Sequence, residues 1–340
     1  MDLSNKILSD ITVYMKYAKY MPELNRRETW EEIVSRNKNM HLKKYPKLKD
    51  EIEEKYKFVY DKKILPSMRS MQFGGKAVLA HNARIYNCAV RHVDSIRAFA
   101  EIFYLLLCGC GVGIGVSKHF IDRFPDIVTA KDKTGTVVTY VVEDSIEGWS
   151  DSIEALLNSY FRNTAFSGRK IVFDFSKIRP KGTPLETAGG KAPGYQGLKR
   201  CHQKVKELFD YIIEQQNQTR LKPINAYDIL MHCADAVLSG GIRRSATCLI
   251  FDKDDEEMMN AKTFFDVTRH TKFYHDDETD LYVGKITVNK KKYEVELIEY
   301  EYNEVIKKKR ISWVHIEPQR ARSNNSVLLL RDETTFEEFT

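Results

Sequence analysis

Ile85-Tyr-Asn-Cys-Ala-Val90, then Ser95-Ile-Arg-Ala-Phe-Ala-Glu-Ile-Phe-Tyr-Leu-Leu-Leu107, then Gly109-Cys-Gly-Val-Gly-Ile-Gly115 is the stretch that decides how this chain folds. The middle segment places Ile96, Phe99, Ala100, Phe103, Leu106 and Leu107 at helical spacing, one apolar stripe along 95–107. The segments on either side are short, and glycine punctuates the second of them. The order reads as strand, helix, strand, the unit from which α/β sheets are built.

The same alternation extends outward. Before residue 65 the chain reads as helical: Thr29 and Glu32 have capping-box spacing ahead of Ile33, and Pro46 opens a run with Leu48, Ile52, Tyr56 and Val59 on one face. Downstream, a helix from near Asp144 aligns Ile146, Trp149, Ile153, Leu156, Leu157 and Tyr160, and Lys170 to Phe175 alternates as a strand. Further helices are predicted from about Gln196 to Gln216 and from Ala226 to Leu238. The second stops at Gly240-Gly241, and Ser245 to Phe251 reads as another strand. Repeated strand–helix order predicts an α/β sheet or barrel. From about Phe264 to Ile311 the texture turns to Lys, Glu and Tyr. Two alternating runs there, Leu281 to Val288 and Tyr293 to Tyr302, flank Asn289-Lys-Lys-Lys292 and predict a β-hairpin within a surface insertion.

Bulk properties narrow the function classes. With 340 residues, 42% hydrophobic and 11% aromatic, the chain can bury a core as one large domain or two smaller ones. Lys and Arg number 54 against 48 Asp and Glu, a formal charge of +6, and the signs are interleaved. That is a mixed solvated surface, so no nucleic-acid partner is expected, although small anions suit it. The amino terminus lacks the basic, apolar, small-residue order of a signal peptide, and no apolar run approaches the ~20 residues that span a bilayer. A cytoplasmic protein without a membrane partner is expected. Six cysteines, Cys88, Cys108, Cys110, Cys201, Cys233 and Cys248, are too sparse for a disulfide scaffold, and no spacing among them suits a structural zinc site.

The glycines of 109–115 fall at every second position and follow an apolar helix instead of opening one, so this is not a dinucleotide fingerprint. Alternating glycine instead permits a strand whose backbone can be closely approached. No Walker A sequence and no HExxH pattern occurs. Four segments carry a more specific signal: Leu65-Pro-Ser-Met-Arg-Ser-Met-Gln-Phe-Gly-Gly75, Ile85-Tyr-Asn-Cys-Ala-Val90, Arg179-Pro-Lys-Gly-Thr-Pro-Leu-Glu-Thr-Ala-Gly-Gly190 and Gly240-Gly-Ile-Arg-Arg-Ser-Ala246. Further blocks are Asn25-Arg-Arg-Glu-Thr-Trp30, Val142-Glu-Asp-Ser-Ile-Glu-Gly-Trp149, Met258-Met-Asn-Ala-Lys262 and Pro318-Gln-Arg-Ala-Arg-Ser-Asn-Asn-Ser326. In this order they resemble the adenosylcobalamin-dependent (class II) ribonucleotide reductases, the monomeric ribonucleoside-triphosphate branch in particular.

The resemblance implies an α/β fold, the amino-terminal half of a ten-stranded α/β barrel. It would comprise a helical region at 1–63, the first half of the barrel with effector and specificity elements at 64–263, a β-rich insertion at 264–311 and a truncated return to the barrel at 312–340. It implies reduction of ribonucleoside triphosphates, with adenosylcobalamin as cofactor, a deoxynucleotide (dNTP) as allosteric effector and a thioredoxin-like reductant. Removing a ribose 2′-hydroxyl needs a radical to activate the 3′ carbon and two thiols to supply electrons. By resemblance Cys88 is one of those thiols; Asn87, Gly111 and, less directly, Ser70 contact the ribonucleotide substrate. Gly241, Ile242, Arg243 and Arg244 resemble the specificity loop between effector and substrate base. Lys181 and Lys191, in a glycine-rich segment, suit closure over effector phosphates, an ordinary surface loop being the other reading. The remaining cysteines read as small buried hydrophobes. No Asn-x-Cys-x-Glu sequence, which carries the family's radical cysteine, occurs. The expectation is therefore a split or truncated enzyme working with a complementary carboxy-terminal reductase chain, the other reading being an inactive effector-binding or regulatory module.

Overall fold

A computed structural model describes residues 3–184, 191–238, 246–262 and 317–324, together with the backbone of strands at 273–276, 281–288, 291–297, 299–301 and 304–307. The amino-terminal part is helical. Helix α1 (Leu3–Lys16) leads through a two-residue antiparallel pair, β1 (Tyr20–Met21) and β2 (Arg26–Arg27), to α2 (Trp30–Lys44) and α3 (Lys49–Tyr60). The capping box forms as its spacing predicts: Glu32 N donates to Thr29 Oγ1 at 3.3 Å and Thr29 N donates to Glu32 Oε2 at 2.7 Å. Pro46–Leu48 makes a 3-10 turn before α3, so Tyr56 and Val59 are buried against Ile33, Val34 and Met71 while Leu48 stays exposed. Short helices α4 (Met68–Phe73) and α5 (Lys76–Ala80) then carry the chain towards the sheet.

The deciding stretch folds as strand, helix, strand. β3 (Cys88–His92), α6 (Ile96–Leu107) and β4 (Gly111–Gly115) form a parallel crossover, and β7 (Ala246–Ile250) adds to the far side of β4 to give a sheet in the order β3-β4-β7. The register aligns Cys88 with Gly111 and Gly111 with Ala246. β3 starts three residues later than Ile85 because Asn82–Ile85 closes a 3-10 turn, with Tyr86 N donating to Ala83 O. Since successive side chains of a strand alternate, Val112, Ile114 and Thr247 share one face and are buried. Cys88, Val90, Gly111, Gly113, Ala246 and Ile250 share the other, where Val90 is 66% and Ile250 48% exposed.

Between β4 and β7 come α7 (Lys118–Ile121), β5 (Val137–Val141), α8 (Ile146–Asn158), β6 (Lys170–Asp174), α9 (Gln196–Glu214) and α10 (Pro223–Leu238). Helix α6 packs on α8 and α10, and α9 on α10. Their stripes form one core with Phe99, Phe103 and Leu106 from α6, Ile153 and Leu156 from α8, Phe209 from α9 and Leu230 from α10. The helix expected from Asp144 is capped one residue later: Ser145 Oγ accepts from Gly148 N at 2.9 Å. Tyr160 lies past its end, stacked on Phe209 at 4.4 Å.

The strand at 170–174 pairs in parallel with β5, from Val137 with Lys170 to Val141 with Asp174, as a two-stranded sheet separate from β3, β4 and β7. The expected strand at 293–302 divides into β10 (Lys291–Leu297), which pairs antiparallel with β9 (Leu281–Val288) in the predicted hairpin, and β11 (Glu299–Glu301), which pairs with β12 (Glu304–Lys307). β8 (Phe273–Asp276) pairs with the other edge of β9. A four-residue helix, α11 (Glu256–Met259), follows β7. The α/β architecture thus holds, with three parallel strands in its main sheet among the described residues.

Candidate active site

The amino-terminal ends of β3 and β4 bring together most of the residues singled out around the thiol. Asn87 and Cys88 are exposed at the start of β3, and Asn87 O accepts from Gly111 N at 2.8 Å, which locks the two strand ends. A Cβ on Gly111 would meet Asn87 O at 3.7 Å and Ala246 Cβ at 3.8 Å, ordinary contact distances, so glycine is not imposed there by its neighbours. Gly115 is different: a Cβ would lie 2.2 Å from His92 Nδ1, whose ring stacks on Phe120 at 4.3 Å. The glycine row leaves a flat backbone floor beside the Cys88 sulfur.

All six cysteines are reduced. Asn87 Nδ2 stands 3.5 Å from Cys88 Sγ. Cys110 is buried directly ahead of β4, its Sγ donating to Tyr86 O at 3.4 Å and Ala83 O at 3.5 Å. Burial, then Cys108, pushes its thiol up, and the nearby Arg69 guanidinium only partly opposes this. Cys110 is therefore a packing thiol that fastens the Ala83–Tyr86 turn. Cys201 and Cys233 are buried between α9 and α10, 3.9 Å apart, and their mutual hydrogen bond and burial push the Cys201 thiol up. Cys248 is half-buried on the Cys88 face of the sheet, two register positions further along.

Ser70 is not presented to this face. Ser67 caps α4 by accepting from Ser70 N, and one turn of helix then points Ser70 into α2, where its Oγ accepts from Asn37 Nδ2 at 2.9 Å. Tyr56 completes that buried group by donating to Asn37 Oδ1. The neighbouring residue, which sequence reasoning passed over, faces the site instead. Arg69 donates through Nε to Asn87 Oδ1 at 3.3 Å and through Nη2 to Gly109 O at 2.5 Å. It lies inside a quoted motif, but only the helical rotation separates it from Ser70.

Lys181 and Lys191 are exposed on the two arms of one loop, closed by Gly182 N donating to Ala192 O at 2.9 Å and Ala192 N donating to Thr183 O at 2.7 Å. The tip of that loop, 185–190, and the specificity residues Gly241, Ile242, Arg243 and Arg244 lie outside the described residues. Adenosylcobalamin carries its own cobalt and asks a protein for an enclosing surface. Three strands give an open strip ~10 Å wide, which by itself does not enclose a corrin. Among the described residues no group of three or more His, Cys, Asp or Glu could hold a metal ion. No helix among the described residues is long and apolar enough to cross a membrane.

Comparison with known proteins shows what the chain is similar to. Residues 123–209, the stretch that holds the separate β5–β6 sheet, match the family described as the insertion domain of B12-dependent ribonucleotide reductases. The crystal structure of a B12-dependent (class II) ribonucleotide reductase shares the fold over 74% of this chain and 42% of its own, with a TM-score of 0.58 at 23% identity. Among individual relatives, the adenosylcobalamin-dependent ribonucleoside-triphosphate reductase of Lactobacillus leichmannii is 26% identical over 74% of this chain and 42% of its own length. The probable enzyme of that name from Dictyostelium discoideum is 25% identical over 76% of this chain and 37% of its own. The matched family and the relatives are adenosylcobalamin-dependent reductases, to which the chain is similar, and the solved structure shares its fold. The chain spans about two fifths of the length of the curated relatives it matches.

Proposed function

We propose that this chain contributes one reducing thiol, Cys88, and part of the substrate floor to the reduction of ribonucleoside triphosphates. Each turnover would expel the ribose 2′-hydroxyl as water and join two thiols: ribonucleotide plus two R–SH gives 2′-deoxyribonucleotide, R–S–S–R and water. Cys88 provides one sulfur. The second reducing thiol and the radical-bearing residue come from a complementary reductase segment that also covers the open sheet face. A thioredoxin-like dithiol then restores Cys88 by exchange. Adenosylcobalamin would supply the radical when bound. The loop carrying Lys181 and Lys191, with Arg243 and Arg244, would take the phosphates of a deoxynucleotide effector and relay its identity to the substrate base.

The observation that carries this reading is the placement of an exposed thiol at a strand end beside a floor of bare backbone, where Gly111 is not demanded by packing. A ribose can approach such a floor to van der Waals distance. The test is formation of deoxynucleotide by the chain combined with a complementary reductase segment, with and without adenosylcobalamin. Cofactor-dependent product is expected, and Cys88→Ser should abolish multiple turnover while leaving effector binding unchanged. Nucleotide binding with no turnover in any combination would favour a regulatory module.

A further inference from the structure

Cys88 sits at the end of a relay that begins on another element. On α4, Arg69 and Phe73 are one helical turn apart, and the guanidinium lies 5.6 Å from the Phe73 ring centre while its fork holds Asn87 Oδ1 and Gly109 O. These contacts leave the planar group little freedom. With Oδ1 engaged by the guanidinium, the amide end of Asn87 is turned to the sulfur, Nδ2 standing 3.5 Å from Sγ. An N–H held at sulfur engages a lone pair and limits the rotamers open to the side chain.

We propose that Arg69 is a positioning residue for Cys88: by fixing the Asn87 carboxamide it aims an N–H at the sulfur and holds the Cys88 side chain in one orientation beside the Gly111 backbone. This rests on the reading of Cys88 as a reducing thiol and extends it to a residue no motif assigned. The other titratable groups around the sulfur do not duplicate the role. Cys110, ahead of β4, is engaged by the Tyr86 and Ala83 carbonyls, and Cys248 on β7 lies two register positions further along. His92, on the same face of β3, is stacked on Phe120, and Arg91 points to the opposite face and is tied to Asp94 and Glu101.

The experiment is the rate of iodoacetamide alkylation at Cys88 at one fixed pH in the 340-residue chain, with each modified cysteine located by mass spectrometry. Arg69→Met should change that rate by about 3-fold, the effect of one lost hydrogen bond. Asn87→Ala should change it equally, and the double variant no more than either alone. Arg69→Lys keeps the charge but not the fork and should restore only part. An unchanged Cys88 rate in either single variant, additive effects, full restoration by lysine, or an equal change at Cys248 overturns the proposal. Labelling needs no turnover, so it fails or succeeds independently of the reductase reading. Turnover surviving in Cys88→Ser would sink that reading alone.

Discussion

At the scale of single residues, the most constrained group outside the site is His202. Its ring stacks on Phe173 at 3.9 Å, and its Nε2 lies 2.9 Å from Ser152 Oγ. Ser152 donates its only hydroxyl proton to Trp149 O at 2.7 Å, so its oxygen must accept from His202, which puts the imidazole proton on Nε2 and leaves the buried Nδ1 without a partner. Burial, with a smaller contribution from Lys206, pushes this histidine from an ordinary 6.5 down to about 3. Between those values the unfolded chain binds a proton that the folded chain refuses. The stability His202 contributes is therefore fully present above about pH 6.5 and lost as pH falls towards 3, by about 1.4 kcal/mol per unit inside that window. Urea midpoints measured from pH 7.5 to 4.5 should fall with acidification in the parent and fall less in His202→Phe. A residual slope is expected because burial also pushes His232 down to about 4. Parallel curves would show that His202 is not the titrating group.

At the scale of elements, β4 separates packing from function within one strand. Gly115→Ala would drive a methyl into His92 and disturb its stack on Phe120, a cost of ~1–3 kcal/mol. Gly111→Ala meets only ordinary contacts and should leave the thermal midpoint within a degree or two, because a strand alanine also orders more cheaply than glycine. It places a methyl on the floor beside Cys88, so reduction by the complemented enzyme should fall at least ~10-fold with the fold intact. Equal losses of stability in the two variants would contradict this division. Much of the element layout was legible in sequence, because apolar stripes such as Ile96 to Leu107 and the Thr29 capping box are local signals. Sheet membership was not: Lys170 to Phe175 alternates identically whether it pairs with β4 or β5, and only the partner decides. The site was partly legible for a related reason. Cys88, Asn87 and Gly111 sit in motifs, whereas choosing Arg69 over Ser70 needs the rotation of α4 about its axis.

For the whole molecule, the telling asymmetry among the described residues is a parallel sheet with helices on one face and little on the other. Parallel sheets are normally buried on both sides, yet here Val90 and Ile250 remain open beside Cys88. A complementary reductase segment covering that face should stabilise the chain by mass action, about 2.7 kcal/mol at a hundredfold excess over its dissociation constant. The same segment should slow alkylation of Cys88 while leaving exposed lysines equally reactive. An unshifted melting curve and an unprotected thiol in the mixture would mean that the face has another partner.

The β3-β4-β7 order also has a consequence in time. β4 meets β3 across one helix, but it meets β7 only after the β5–β6 sheet and two long helices have been made. Contacts so unequal in sequence separation close at unequal rates. During synthesis the chain therefore displays Cys88 on a two-stranded ribbon, its far wall not yet built. The β5–β6 sheet and α10 are made in that interval, beside a β4 edge whose glycine row offers few side chains to grip.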